Sequence, residues 1–117
     1  MSKKSDLIFV EHVLESIEAI EEFSKEMTKE KLAVNRLNRN AIIRELEIIG
    51  EAVKNISDTT KERYKSVLWR EIAGTRDKMI HHYFGIDLEI VWDIIKIELP
   101  ILKKEMLKIK EEMIDSK

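Results

Sequence analysis

Residues 69–85 read WREIAGTRDKMIHHYFG, and this stretch organises the chain. It holds two of the three histidines and one of the two tryptophans. We predict a helix of three to four turns that ends at Gly85, because a glycine just past the last apolar residue is a typical helix stop. Asp87 then caps the next helix, whose first turn carries Glu89. The stretch therefore brings together a cation, two imidazoles and a phenol, which are the groups that phosphate chemistry needs.

The composition predicts one helical domain over residues 1–117. Hydrophobic residues make up 44% of the chain and charged residues 38%, with one proline and three glycines. The net charge of −2 does not indicate a general nucleic-acid binder, and the lack of cysteine excludes disulfides, thiolate metal sites and a cysteine nucleophile. The sequence begins without the apolar run of a signal peptide and has no stretch of 18 apolar residues. We expect a cytoplasmic protein without a membrane span.

Apolar residues spaced three and four apart predict an all-α, up-and-down bundle of four to five helices. The first helix begins near Ser5, and the last follows Pro100, where the chain either kinks or starts a new helix. Between them we expect a long helix capped by Thr28 and a short one that begins at a capping box over residues 59–62. Gly50 lies within the long helix, and the close approach of a neighbouring helix would explain it. The residues predicted for the core are Leu7, Val10, Val13, Leu14, Ile17, Ile20, Leu32, Leu37, Ile42, Leu46, Ile49, Val53, Ile56, Trp69, Ile72, Ile86, Ile90, Val91, Ile94, Ile95, Ile97, Ile101, Leu102, Met106, Ile109 and Met113.

Two charged groupings on the long helix indicate functions beyond packing. Glu47 and Glu51 are four apart and share a face, a spacing that suits metal binding or acid–base work. No Glu-x-x-His pair accompanies them, so we expect no metal site, and instead a glutamate that pairs with a basic residue of the next helix. Residues 25–44 carry six lysines and arginines against two glutamates, which is either an electrostatic footprint for RNA or a solvated helix surface. The candidate RNA-binding residues are Arg36, Arg39, Arg44 and Lys78.

The candidate catalytic residues Arg76, His81 and Tyr83 form the pattern R-x4-H-x-Y. On an ideal helix Arg76 and Tyr83 lie on nearly one face, whereas His81 lies about 140° round and about 7.5 Å further along. A single cluster therefore needs either a loosened last turn or pairing with the same segment of a second subunit in a two-fold dimer. Arginine offers a planar fork for a phosphate, and a histidine that titrates near neutrality suits general acid–base work. The alternative is that these are ordinary surface residues of a helix.

Three segments resemble the HepT type of HEPN-domain protein: residues 39–52 (RNAIIRELEIIGEA), 69–76 (WREIAGTR) and 81–87 (HHYFGID). The resemblance covers nearly the whole chain, and the family motif falls on the R-x4-H-x-Y residues. It implies a HEPN-like helical bundle that dimerises with its motifs facing each other. It also implies a metal-independent endoribonuclease without a cofactor, which acts as the toxin of a toxin–antitoxin pair. The implied partner is a minimal nucleotidyltransferase, which silences the toxin by transferring AMP to Tyr83.

The implied mechanism assigns a role to each motif residue. His81 removes the 2′-hydroxyl proton of RNA or protonates the leaving 5′-oxygen, so that cleavage leaves a 2′,3′-cyclic phosphate. Arg76 holds the scissile phosphate, and the hydroxyl of Tyr83 orients the phosphate or His81, with His82 and Glu51 as candidate supporting residues. The competing interpretation is a non-catalytic module that binds a nucleotide or docks the nucleotidyltransferase.

Overall fold

The predicted all-α bundle is confirmed, with a small pair of strands added to it. The computed structural model describes residues 3–81 and 85–115. A π-helical turn at Ile94–Glu98 joins two of the helices, and strands β1 (Ile80–His81) and β2 (Gly85–Ile86) pair in antiparallel fashion. Within the described ranges no helix is long and apolar enough to cross a bilayer. The helices are α1 (Lys3–Phe23), α2 (Lys29–Val34), α3 (Arg36–Lys54), α4 (Asp58–Arg63), α5 (Trp69–Ala73), α6 (Thr75–Met79), α7 (Leu88–Asp93) and α8 (Leu99–Asp115).

The core lies between the long helices α1, α3 and α8, with α1 packed along both of the others. Most of the predicted core residues are buried. The prediction is wrong for three of them, since Leu37 is 81% exposed, Ile97 60% and Ile101 57%. The reason is a change of helical phase in two places, a break before α3 and a widened turn before α8. The predicted core residues that are buried on the three long helices are Val10, Val13, Leu14, Ile17, Ile20, Ile42, Leu46, Ile49, Val53, Leu102, Met106, Ile109 and Met113.

The long helix predicted after Thr28 is in fact two helices. Thr28 caps α2 as expected, and its hydroxyl accepts a hydrogen bond from the N–H of Lys31 at 3.1 Å. Asn35 then ends α2 and caps α3, where its side-chain oxygen accepts from the N–H of Asn38 at 3.1 Å. The short asparagine amide competes with the backbone for hydrogen bonds, which favours a helix boundary over a helix interior. The spacing of apolar residues alone does not predict this break.

A buried carboxylate ties α1 to the start of α4. Asp6 is 1% exposed and accepts hydrogen bonds from the N–H and hydroxyl of Ser57, at 2.9 and 2.6 Å, and from the hydroxyl of Thr60 at 2.6 Å. Ser57 also caps α4, so that helix begins before the predicted capping box at Thr59. These contacts fix the segment that leads into α5.

Pro100 lies within continuous helical backbone, so the alternative of a new helix that starts at residue 100 is wrong. In the π-helical turn the N–H of Leu99 bonds to the carbonyl of Ile94, five residues back. Proline has no N–H, and its ring clashes with the carbonyl four residues earlier in a straight α-helix. The wider π-helical turn gives this ring room. The backbone therefore stays helical from α7 through α8.

Candidate functional site

The predicted single helix over residues 69–85 is wrong. The stretch forms two short helices, α5 and α6, followed by the first strand of a hairpin. Gly74 ends α5, and its N–H bonds to the carbonyls of Arg70 and Ile72. The hydroxyl of Thr75 donates to the carbonyl of Ile72 at 2.7 Å, so α6 starts directly against the end of α5. The change of direction between the two helices brings α6 alongside α3.

A hairpin follows α6 and determines the backbone position of His81. His81 pairs with Gly85, and the carbonyl of Met79 accepts from the N–H of Asp87 at 2.7 Å. Gly85 has the expected left-handed backbone, with φ of +78°, but it belongs to the hairpin and not to a helix end. Asp87 caps α7 as predicted. The offset of about 140° between Arg76 and His81 assumed an ideal helix, so this argument for a second subunit loses its basis.

Arg76 lies on α6 and is held by one ion pair. Its Nε donates to Oε2 of Glu47 on α3 at 2.9 Å. A glutamate of α3 thus pairs with a basic residue as predicted, but that residue lies on α6 and not on the next helix, α4. The Arg76 side chain is 66% exposed and that of Glu47 27%. Within the described ranges the Nη1 and Nη2 donors of Arg76 make no hydrogen bond.

A shallow pocket of about 260 Å³ surrounds this ion pair. Its other charged lining residues all come from α3: Arg44, Glu51 and Lys54, with 3.4 Å between Nζ of Lys54 and Oε1 of Glu51. Gly50 lies between them, and a Cβ there would be 3.5 Å from the two carbonyl oxygens that end α5. A neighbouring helix therefore does approach Gly50, but 3.5 Å is an ordinary van der Waals distance, so this approach does not by itself require a glycine. Three cations face two carboxylates, so the pocket has a net positive charge and suits an anion.

The predicted RNA-binding residues are divided between two places. Arg44 lines the pocket, whereas Arg36 and Arg39 line a separate groove of about 440 Å³ between the start of α3 and the segment from β2 to α7. The guanidinium of Arg39 also donates to two carbonyls at the end of α2, so it has a structural role. Lys78 lies in neither place, because its Nζ is 3.1 Å from Oε2 of Glu98.

The remaining predicted site residues are not all described. His82 and Tyr83 lie outside the described residues, and of His81 only the backbone is described. The chain's other tyrosine, Tyr64, is remote from the pocket, and its hydroxyl donates to Oε1 of Glu112 on α8 at 3.0 Å. Burial, then this hydrogen bond and the charge of Glu112, raise the pKa of the Tyr64 phenol. Tyr64 therefore joins the end of α4 to α8.

Lys54 is the pocket residue that sequence reasoning missed. It follows Glu47 by seven residues, which is two helical turns and hence the same face. That spacing was a usable signal. The signal is weak, because lysine is common in the last turn of any helix, where its positive charge interacts favourably with the helix dipole.

The family of the chain follows from comparison with known sequences. The sequence model of the family described as "Ribonuclease HepT-like" matches residues 13–109. The chain belongs to this HepT-like family. The match includes α3, α5, α6 and the hairpin, and hence every residue of the pocket.

Several HepT-like relatives are similar over most of the chain. "Probable ribonuclease HepT" of Thermococcus cleftensis is 41% identical over 109 residues, which are 93% of this chain and 99% of the relative. "Gamma-glutamylcyclotransferase and putative RNase MJ0434" of Methanocaldococcus jannaschii is 43% identical over 111 residues, which are 95% of this chain and only 50% of that longer protein. "Putative RNase TTE0752" of Caldanaerobacter subterraneus is 42% identical over 101 residues, covering 86% of this chain and 90% of the relative. No solved structure matches the chain.

Proposed function

We propose that this HepT-like protein is an endoribonuclease that cleaves RNA without a metal ion. The observation that carries the proposal is the net positive pocket in which the described part of the chain holds an exposed Arg76 through its Nε alone. An RNA phosphate is the anion whose paired oxygens match the two nitrogens left over. Relatives named as ribonucleases or RNases, similar over most of the chain, support the same substrate class.

The proposed reaction is an internal transesterification of RNA. The 2′-oxygen forms a bond to the adjacent phosphorus, and the bond from that phosphorus to the 5′-oxygen of the next nucleotide breaks. His81 takes the proton from the 2′-hydroxyl or gives one to the 5′-oxygen, so the products are a 2′,3′-cyclic phosphate and a 5′-hydroxyl. Arg76 stabilises the charge that grows on the nonbridging oxygens, and Tyr83 orients the phosphate or the imidazole. His82, next to His81, and Glu51, in the pocket, are the supporting residues of this scheme.

The basic residues of α3 extend the contact with RNA beyond the cleaved phosphate. Arg36 and Arg39 line the groove beside the hairpin, and Arg44 lines the pocket itself. Neutralising several phosphates makes binding strongly salt-dependent. We infer that Lys78 contributes less than Arg44, because an exposed glutamate already pairs with it.

We also propose that the protein is the toxin of a toxin–antitoxin pair in the cytoplasm and acts as a two-fold dimer with the motifs facing. Its partner is a minimal nucleotidyltransferase that modifies Tyr83. In that step the Tyr83 oxygen bonds to the α-phosphorus of ATP, the bond to the β-phosphate breaks, and pyrophosphate and a proton leave. The added AMP excludes RNA from the site by its bulk and negative charge. Tyr64 is the poorer acceptor, because Glu112 engages its hydroxyl and its pKa is raised.

Cleavage assays on a single-stranded RNA and on DNA of the same sequence test the nuclease. We expect cleavage of RNA only, with a cyclic phosphate end detected by mass spectrometry, and loss of cleavage in Arg76→Ala and His81→Ala. The matched controls are Arg70→Ala, an exposed arginine of α5, and His12→Ala, an exposed histidine of α1; both should cleave normally. RNA binding without cleavage by the unmodified protein would instead establish the non-catalytic binding module.

Intact-mass measurement tests the modification. After incubation with ATP and the nucleotidyltransferase encoded by the neighbouring gene, we expect one or more AMP units on the protein and no further RNA cleavage. Tyr64→Phe should still be modified, whereas Tyr83→Phe should not. Silencing without added mass would replace this scheme by simple occlusion of the site by the partner.

A further inference from the structure

The contact between Glu47 and Arg76 uses only one of the arginine's five donors. Oε2 of Glu47 accepts from Nε at 2.9 Å, and no other residue of the described ranges uses the four hydrogens on Nη1 and Nη2, which suit a further ligand. A carboxylate paired with both terminal nitrogens would occupy the fork that phosphates bind. The observed geometry keeps the fork free of Glu47 and limits rotation of the guanidinium about its own axis.

Glu47 is also more firmly placed than the other carboxylates that form ion pairs in the described part of the chain. Its side chain is 27% exposed, whereas the acidic partners of the other pairs are 42–71% exposed. It lies in the middle of α3, one turn before Gly50, where the end of α5 comes closest to this helix. Glu47 is thus fixed by a long helix, while Arg76 lies on a helix of five residues.

We propose that Glu47 is the positioning residue of the site, which orients Arg76 toward the scissile phosphate. The proposal rests on the proposed ribonuclease function and adds a residue to it. Glu47 binds Nε and thereby sets the plane of the guanidinium, so that Nη1 and Nη2 meet two oxygens of one phosphate. A group that must stabilise a transition state loses much of its effect when it is displaced by about 1 Å, on the order of a hundredfold in rate.

Substitution of Glu47 should lower the rate of cleavage more than the binding of RNA. Binding draws on several phosphates along α3, whereas the chemical step depends on one arginine in one orientation. We expect Glu47→Ala to lower kcat by about ten- to a hundredfold, with a much smaller change in KM. Glu47→Gln keeps the size and an acceptor but not the charge, so its kcat should lie between those of the wild type and the alanine variant.

A double-mutant cycle on cleavage kinetics separates positioning from general stability. In the residual cleavage that Arg76→Ala retains under single-turnover conditions with excess enzyme, Glu47→Ala should cause no further loss, because it acts through that arginine. Arg76→Lys should be as inactive as Arg76→Ala, since an ammonium paired with Glu47 has no fork left for phosphate. The matched control is Glu21→Ala, which removes a carboxylate from the 2.9 Å ion pair with Lys103 that joins α1 to α8. It should leave kcat unchanged, and thermal unfolding of all variants shows whether they fold.

The outcomes distinguish this proposal from the function on which it rests. If Arg76→Ala abolishes cleavage while Glu47→Ala and Glu47→Gln keep the wild-type kcat, or if the effects of Glu47→Ala and Arg76→Ala simply multiply, Glu47 does not position Arg76. If the wild type binds RNA without cleaving it, the nuclease function is wrong, and the same cycle is run on RNA affinity measured by fluorescence anisotropy. If the effects of the two substitutions on RNA affinity are coupled, the positioning role of Glu47 stands. If these effects are independent, the positioning role is overturned.

Discussion

Replacing Gly50 by alanine should stabilise this protein, although the residue lies at the closest approach of α3 and α5. A glycine inside a helix costs about 1 kcal/mol relative to alanine. The added Cβ would lie 3.5 Å from the carbonyl oxygens of Ile72 and Ala73, an ordinary van der Waals distance. The methyl group therefore fits without moving α5. We expect the free energy of unfolding to rise by about 0.5–1 kcal/mol, which for a chain of this size raises the unfolding temperature by roughly 2–4 °C.

A larger side chain at the same place should have the opposite effect. The outer carbons of Gly50→Leu point toward the end of α5 and force it away from α3. Overpacking of this kind costs about 1–3 kcal/mol. The shift would also separate Glu47 from Arg76, so Gly50→Leu should lose RNA cleavage while Gly50→Ala keeps it. Ala41→Gly, on the same helix, measures what a glycine costs in this host.

Urea unfolding followed by far-ultraviolet circular dichroism gives the comparison. The m-value should stay constant across the variants, so that the midpoints report stability alone. A loss of more than about 1 kcal/mol in Gly50→Ala, with Ala41→Gly costing about the expected 1 kcal/mol, would refute the reasoning. It would mean that a Cβ at residue 50 lies closer than 3.5 Å to the carbonyl oxygens of Ile72 and Ala73 and that the glycine is required by packing.

Four further predictions follow from the site and its surroundings. His81→Ala should abolish RNA cleavage and leave the unfolding temperature nearly unchanged; a large loss of stability would make His81 a structural residue. Excess EDTA should leave cleavage intact, and activity lost in chelator and restored by a divalent metal would overturn the metal-free mechanism. Sedimentation at micromolar concentration should show a dimer, and a monomer that still cleaves RNA would remove the second subunit from the mechanism. Burial raises the pKa of the Glu105 carboxyl. Protonation of this group therefore stabilises the fold at pH values below its unfolded pKa of about 4.3. The stabilisation is lost as the pH rises through the folded pKa. Glu105→Gln should therefore unfold at a higher temperature than the wild type at neutral pH and at a similar one at acid pH; an equal gain at both would show that charge is not the cause.

Apolar periodicity predicts the long helices because the apolar residues of their buried faces recur every three or four positions in the sequence. Val10, Leu14 and Ile17 on α1 follow that spacing and are buried. The same reasoning fails where a polar side chain competes for the backbone. Asn35 divides one predicted helix into two, and apolar spacing continues across it without a signal.

The site is harder to predict, because its contacts join segments that are far apart in sequence. Glu47 and Arg76 are 29 residues apart, and the sequence indicated only that some glutamate pairs with the next helix. Sequence reasoning predicts the motif stretch as one helix because Gly85, just past the last apolar residue, is a typical helix stop. In the structure Gly74 ends α5, and Gly85 serves a hairpin whose pairing depends on tertiary packing.

The π-helical turn before α8 holds one extra residue, and the same extra width makes room for the ring of Pro100. Such a turn accommodates about one residue more than an α-helical turn, so an insertion is absorbed locally and both flanking helices keep their buried faces. Deleting one residue within Ile94–Glu98 should therefore be tolerated if Pro100 is replaced in the same variant. The same deletion in the middle of α1 would rotate half of that helix by roughly 100° and turn charged residues into the core. A one-residue gap in this stretch, accompanied by loss of the proline, is thus a difference that HepT-like sequences can carry without changing their fold.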